Sequence, residues 1–316
     1  MNNQSKELGN YDIIGDIHGY AHELKQLLLA MDYQLNDKGC YSHTSRTAIF
    51  VGDFIDRGTQ QKAVINIVRP MVDSGAALAV MGNHEFNAIS FHSMHPKSGQ
   101  PLRDHNANKT KQHQAFLDEY TDKKDIQDVI NWFKTLPIFL ELDEIRIIHA
   151  CWNTDAIDTI KHELDVNNCI DDAFIVKANE KGTIQFDAIE TLLKGLEMDL
   201  PDGINFKDSY GKTRSRIRVK WWQSESTNYK NIAIVPKKDL QAVPDIKAPI
   251  KILGDYKYNK TNNPVFCGHY WMLGQAIAQQ SNVACVDYSV AKGGNLTAYR
   301  WNHGDKEIYN ESFFQL

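Results

Sequence analysis

Thr47-Ala48-Ile49-Phe50-Val51-Gly52-Asp53-Phe54-Ile55-Asp56-Arg57-Gly58 decides the fold, because an apolar run of strand length stops at Gly-Asp and the period then changes. Beyond it, Val64, Ile67, Val68 and Met71 stand at i, i+3, i+4 and i+7, one face of a helix whose last turn Pro70 is expected to kink. The unit is strand, tight turn, helix. It occurs earlier too: an apolar run over 11–17 carries Gly15-Asp16-Ile17-His18-Gly19, and Leu24, Leu27, Leu28 and Met31 follow at helical spacing. A third strand is expected over 76–81, ending at Gly82-Asn83-His84-Glu85. Strands alternating with helices of this length predict βαβ units, and open α/β sheets place their sites beyond the carboxyl ends of strands.

Farther along, a helix is expected over 125–135 after a solvated turn at 122–125, and two strands over 138–142 and 145–150 join at Asp143-Glu144 and lead to His149. Strands over 264–267, before Gly268-His269, and over 283–288 and 295–301 predict a second, more antiparallel sheet, with Lys292-Gly293-Gly294 as the hairpin between the last two. From 91 to 111 periodic apolar residues give way to polar ones, which predicts a long lid loop; His92, His95, His105 and His113 in or near it read as exposed. The segment 153–227 reads as an insertion beside the site, with helices near 154–164 and 187–196 and Trp221 and Trp222 in its core.

The chain has 316 residues, 42% of them apolar, enough for a sizeable core, and is read as one catalytic domain over 1–316. A net charge of -5 argues against a duplex nucleic-acid partner, since such domains usually carry a basic face. No stretch of about 18 apolar residues suggests membrane insertion. Five cysteines without CxxC spacing read as reduced thiols in a cytoplasmic protein, and buried Cys151 and Cys267 read as packing.

The chemistry lies in side chains gathered at strand ends. In Asp16-Ile17-His18 alternate residues point to one side, so carboxylate and imidazole can reach the same ion. Asp53 offers two carboxylate oxygens and could bridge two ions. The first would have Asp16, His18 and Asp53; the second Asp53, Asn83, His149 and His269. A mixed nitrogen and oxygen shell without thiolates suits Mn, Fe or Zn at a catalytic centre. Two such ions about 3.5–4 Å apart acidify a shared water and neutralise a transferring phosphoryl group. Arg57 is placed to offer its guanidinium fork to phosphate oxygens, His84 to protonate the leaving oxygen, and Asp56 to hold His84 in its charged form. A lone Gly-Asp or Gly-His is usually a solvated turn; five such fragments in fixed order, all at strand ends, are not explained that way.

Together GDIHG, GDFIDRG, GNHE, the histidine at 149 and the GH at 268–269 resemble the calcineurin-like metallophosphoesterase superfamily. The GDxxDRG and GNHE forms resemble its phosphoprotein-phosphatase branch and the bacterial symmetrical dinucleoside tetraphosphatases. The resemblance implies an α/β fold of two central sheets packed as a sandwich and flanked by helices, here with a mostly helical insertion, and phosphate-ester hydrolysis by hydroxide bridging two metals. It implies metal ligands at Asp16, His18, Asp53, Asn83, His149 and His269, a phosphate-binding Arg57, and a proton-donor pair at His84 and Asp56. Where many phosphodiesterases of the superfamily have GHxH, this chain has Trp271 in place of the second histidine. A second phosphate-contacting arginine is sought in the run 214–222, where Arg214, Arg216, Arg218 and Lys220 alternate on one strand face; Arg216 and Arg218 are the candidates, and a solvated face explains the pattern equally well. The leading expectation is a phosphomonoesterase acting on a phosphoprotein or a small phosphoester, probed best with manganese. The alternative is a symmetrical dinucleoside tetraphosphatase, and a third reading is an inactive metal-stabilised binding protein.

Overall fold

Adjacent residues of a strand face opposite sides, so a strand apolar at every position must be covered twice. In β1 (Tyr11–Ile14) Ile13 joins a core that also holds Ile49, Ile147, Phe266, Ala284, Tyr299 and Trp301, whereas Ile14 joins a larger one containing the helices. Ile49 and Phe50 of β4 (Thr47–Phe50) divide in the same way, as do Ile147 and Ile148 farther along. The smaller core is the space between two sheets and the larger lies under the flanking helices. That is the sandwich the sequence led us to expect.

The computed structural model describes residues 9–207, 213–223, 228–235, 237–249 and 258–316. The N-terminal segment and parts of the expected insertion, 208–212 and 224–227, lie outside the described residues. After β1 come α1 (Ala21–Ala30), a short ribbon of β2 (Gln34–Leu35) and β3 (Tyr41–Ser42), β4, α2 (Gln61–Asp73) and β5 (Ala77–Ala79). Then follow α3 (Asn83–His92), α4 (Ala107–Glu119), α5 (Lys123–Phe133), β6 (Phe139–Glu141), β7 (Arg146–Ile148), α6 (Thr154–Ile160), α7 (Asp172–Ala178) and α8 (Ile184–Lys194). The remainder is β8 (Glu197–Asp199), β9 (Phe206–Lys207), β10 (Thr213–Arg214), β11 (Arg216–Val219), α9 (Tyr229–Ile232), β12 (Ala233–Ile234), β13 (Val265–Cys267), β14 (Val283–Cys285), β15 (Thr297–Trp301) and β16 (Phe313–Gln315). One central sheet has the order β16-β15-β1-β4-β5, the other β14-β13-β7-β6. Among the described residues no helix is long and apolar enough to cross a membrane.

Several expectations are corrected. The second sheet is not mainly antiparallel: β13 pairs parallel with both β7 and β14, and only β6 and β7 form a hairpin. Every residue of β13 and β14 is buried, the continuous apolar run of a parallel strand rather than alternation. β15 leaves that sheet and pairs antiparallel with β1. Lys292-Gly293-Gly294 therefore belongs to a turn crossing between sheets, not to a hairpin. The polar lid loop shrinks to 93–106, because α3 runs to His92 and α4 starts at Ala107, with the Asn106 side chain accepting from Lys109 N. Most of α4 faces water, which hid its period. The segment 153–227 holds more helix than strand, with α6, α7 and α8 packed into the main core, while β8, β11 and β12 form a small sheet over a separate core of Met198, Ile217, Val219 and Ile232. Trp221 and Trp222 are buried in the main core, not in that small one.

Candidate active site

β1, β4 and β5 are parallel neighbours, as are β7 and β13, so their carboxyl ends deliver Asp16 and His18, Asp53, Asn83, His149 and His269 to one edge of the sandwich. Sharp backbone turns aim them. Among non-glycine residues with positive φ are His18 (48°), Asp53 (53°), Asp56 (68°), Arg57 (73°) and His269 (72°), a conformation that costs energy and concentrates at functional sites. Gly52, at φ 96°, lets two loops touch: a Cβ there would lie 2.4 Å from Gly82 N. At Gly268 a Cβ would meet Asp16 Oδ1 at 2.0 Å, so glycine makes room for that carboxylate.

Asp53 is the hub. Its Oδ2 lies 3.6 Å from His18 Nε2 and its Oδ1 lies 3.4 Å from His149 Nε2. Ligand atoms of His18, Asp53 and His84 lie within 4.8 Å of one another, as do those of Asp53, His149 and His269; Asp53 is common to both groups. Each imidazole is oriented from behind: His18 Nδ1 donates to Ile55 O at 2.9 Å and His149 Nδ1 to Val51 O at 2.8 Å, turning both Nε2 atoms into the site. Asn83 Oδ1 is 3.1 Å from His149 Nε2. His269 Nε2 is buried with no hydrogen-bond partner, as befits a nitrogen meant for a ligand from outside the protein. The donors are nitrogen and oxygen with no thiolate, and they fit divalent transition ions. Asp16 lies beside these groups, its two oxygens 3.3 and 3.1 Å from His269 N, and His84 groups with His18 and Asp53.

Electrostatics follow from burial and mutual proximity. Burial pushes Asp53 up, but the imidazoles of His149, His84 and His18 outweigh it and hold the carboxyl well below its usual range. Burial, with Asp287 and Asp53 nearby, pushes Asp16 well above that range. Burial lowers His18 to about 4, and burial with the charge of Arg218 takes His269 well below the usual histidine value. His84 goes the other way: Asp53 and Asp56 overcome burial and raise it.

His84 Nδ1 lies 2.5 Å from Asp56 Oδ2, the expected pair. Arg57 is exposed and lines a cleft of about 310 Å³ with Gly19, Tyr20, His22 and Gln60. The two candidate second arginines separate. Arg216 is tied across to β8 by Asp199 at 3.0 Å and Glu197 at 3.4 Å, out on the exposed face. Arg218, half-buried, has Glu197 at 4.0 Å, a buried Nε without a hydrogen-bond partner among the described residues, and a charge felt by His269.

Sequence reasoning missed the supports. Glu85 is fully buried and accepts from Asp53 N (2.8 Å), Phe54 N (2.8 Å) and Gly82 N (3.0 Å), stitching the loop after β4 to the start of α3. Gln61 accepts from Asp56 N at 2.6 Å and donates to Gly58 O at 2.6 Å. Asp287 accepts from Trp271 N and Ser289 N, holding the turn after His269. His113, expected to be exposed, is buried against Asp56. Its signal was the spacing His113, Phe116, Tyr120, a buried stripe on α4 and just beyond it.

The profile of the calcineurin-like phosphoesterases matches residues 10–236. The chain belongs to that family. That family is dinuclear-metal dependent, and the chain carries histidine and aspartate groups able to hold metal. It is 31% identical over 140 residues to the asymmetrical bis(5'-nucleosyl)-tetraphosphatase PrpE of Oceanobacillus iheyensis, covering 44% of this chain and 54% of that one. The chain thus spans about half the length of that relative, and less of other PrpE proteins. With the symmetrical bis(5'-nucleosyl)-tetraphosphatase of Vibrio parahaemolyticus it is 25% identical over 312 residues, covering 95% of this chain and 97% of that one. A protein serine/threonine phosphatase from Saccharomyces cerevisiae superposes with a TM-score of 0.53 at 13% identity, over 100% of this chain and 81% of that one, and shares the fold.

Proposed function

We propose that this metallophosphoesterase removes phosphate from a phosphomonoester, a phosphoprotein or small molecule, using two divalent transition ions, manganese first, with iron or zinc compatible. Asp16, His18 and Asp53 would hold one ion; Asp53, Asn83, His149 and His269 the other. One observation carries the reading: a single carboxylate, Asp53, belongs to both groups of potential ligands, beside a histidine already paired with an aspartate. When bound, the ions supply Lewis acidity toward phosphoryl oxygens and an acidified water at neutral pH. The protein's own groups do the rest. Arg57 grips the phosphate with its fork, and Arg218 adds a second guanidinium near His269. His84, its Nδ1–H committed to Asp56, gives the proton on Nε2 to the leaving oxygen. Five free, buried cysteines support a cytoplasmic protein. We read the chain as one catalytic domain, with 93–106 and the small sheet flanking the site.

A second reading, symmetrical hydrolysis of dinucleoside tetraphosphates, is favoured by the match along nearly the whole chain to the Vibrio enzyme. Manganese-reconstituted protein assayed in parallel on p-nitrophenyl phosphate, a phosphopeptide and diadenosine tetraphosphate separates the two. Phosphate release from the first two supports the monoesterase; turnover of the tetraphosphate alone, to ADP, transfers the assignment to the second reading. No turnover on any of them overturns both.

A further inference from the structure

The carboxylate behind the proton donor is gripped twice. Asp56 Oδ2 faces His84 Nδ1 at 2.5 Å, and Asp56 Oδ1 faces His113 Nδ1 at 2.8 Å. Asp56 and His113 are both buried. His113 Nε2 then lies 3.2 Å from His92 Nε2. Each Asp56 oxygen thus faces one imidazole Nδ1, and a carboxylate only accepts, so both imidazoles donate to it. His92, which burial and its histidine neighbours lower to about 4, sets its Nε2 against His113 Nε2. The directions of both bonds to Asp56 follow from one carboxylate.

The chain of bonds also closes on itself. His84 opens α3 and His92 ends it, while His113 comes from α4 and Asp56 from the loop after β4. Rings pack its far side: His113 stacks on Phe116 at 4.6 Å and Phe91 stacks on His105 at 3.7 Å.

We infer that His113 is a positioning residue for the proton donor: it holds the free oxygen of Asp56 so that the other oxygen can orient His84, and His92 holds His113 from its other nitrogen. This rests on the reading of His84 as the donor. Without His113, Asp56 keeps a buried, unbonded oxygen and can rotate, and the Nε2–H of His84 loses its aim.

The test uses the full chain reconstituted with manganese. His113→Phe keeps the stack on Phe116 and removes the donor; His113→Asn restores one. We expect H113F to lower kcat on phenyl phosphate at least about tenfold more than on p-nitrophenyl phosphate, a fraction of the 10²–10⁴ that a general acid supplies, with metal content unchanged and partial recovery in H113N. In an H84N background, H113F should then cost nothing further, because residues acting as a unit are not additive. Should H113F lose its fold, His92→Phe carries the same comparison, and the downfield imidazole N–H proton signals of the wild-type protein must include one that H92F shifts. Equal losses on both esters, or additive losses with H84N, would overturn the assignment of His113 while sparing that of His84. If H84N itself does not distinguish the two esters, the donor reading falls and takes this one with it.

Discussion

Glu85→Gln and Glu85→Ala probe whether the site is held from below by one carboxylate. Glu85 Oε2 accepts from Asp53 N and Gly82 N, and Oε1 accepts from Phe54 N, all at 2.8–3.0 Å and fully buried. Alanine strands three buried donors at about 1–3 kcal/mol each, so about 3–9 kcal/mol in sum. Typical domains have only about 5–15 kcal/mol in total, so the alanine protein should be largely unfolded or close to it. Glutamine can keep its oxygen at the doubly used position, but sets its amide against the N–H of Phe54: one bond lost, two donors opposed, and about 2–4 kcal/mol. Urea unfolding at neutral pH, followed by tryptophan fluorescence with and without added manganese, measures this directly. E85Q should also bind metal more weakly, because the backbone of Asp53 is what Glu85 fixes. An E85Q protein within about 0.5 kcal/mol of wild type, with unchanged metal content, would refute the idea that this carboxylate joins the two loops.

Asp53→Asn should lose metal and activity together, by metal analysis and turnover, because the shared carboxylate is removed from both groups; retention of two ions at normal rates would contradict the hub. Arg218→Gln should weaken inhibition by inorganic phosphate about tenfold, whereas Arg216→Gln should change it little, since its exposed pairs with Glu197 and Asp199 are worth about 0–1 kcal/mol. The opposite ranking would place the second guanidinium on Arg216. His92 has its folded pKa lowered to about 4 from an ordinary 6.5. Between those values the unfolded chain binds more protons, so His92 costs stability as pH falls through that window. The melting temperature should therefore drop from pH 7 to pH 5, and drop less in His92→Phe.

Much of the fold was legible because burial is periodic. Leu24, Leu27, Leu28 and Met31, and Val64, Ile67, Val68 and Met71, are all buried where helical spacing put them. The candidate site was legible for a different reason: a Gly-Asp or Gly-His that ends an apolar run marks a strand's carboxyl end, and these ends share one edge of the sandwich. What failed was pairing. Nothing local in Val283–Cys285 says that its neighbour β13 runs parallel, or that Thr297–Trp301 crosses to the other sheet, since strand partners are chosen by distant segments. The length of the polar loop failed because α4 shows water all but a narrow stripe.

The sequence by itself determined the candidate donors, because ligand chemistry is a property of residue type and strand-end spacing is local. Only the tertiary structure decided that Asp16 turns to the backbone of His269 and that His113 lies behind Asp56. Each of those is a contact between segments tens of residues or more apart. Side-chain identity leaves such contacts open until packing brings the two segments within a few ångströms.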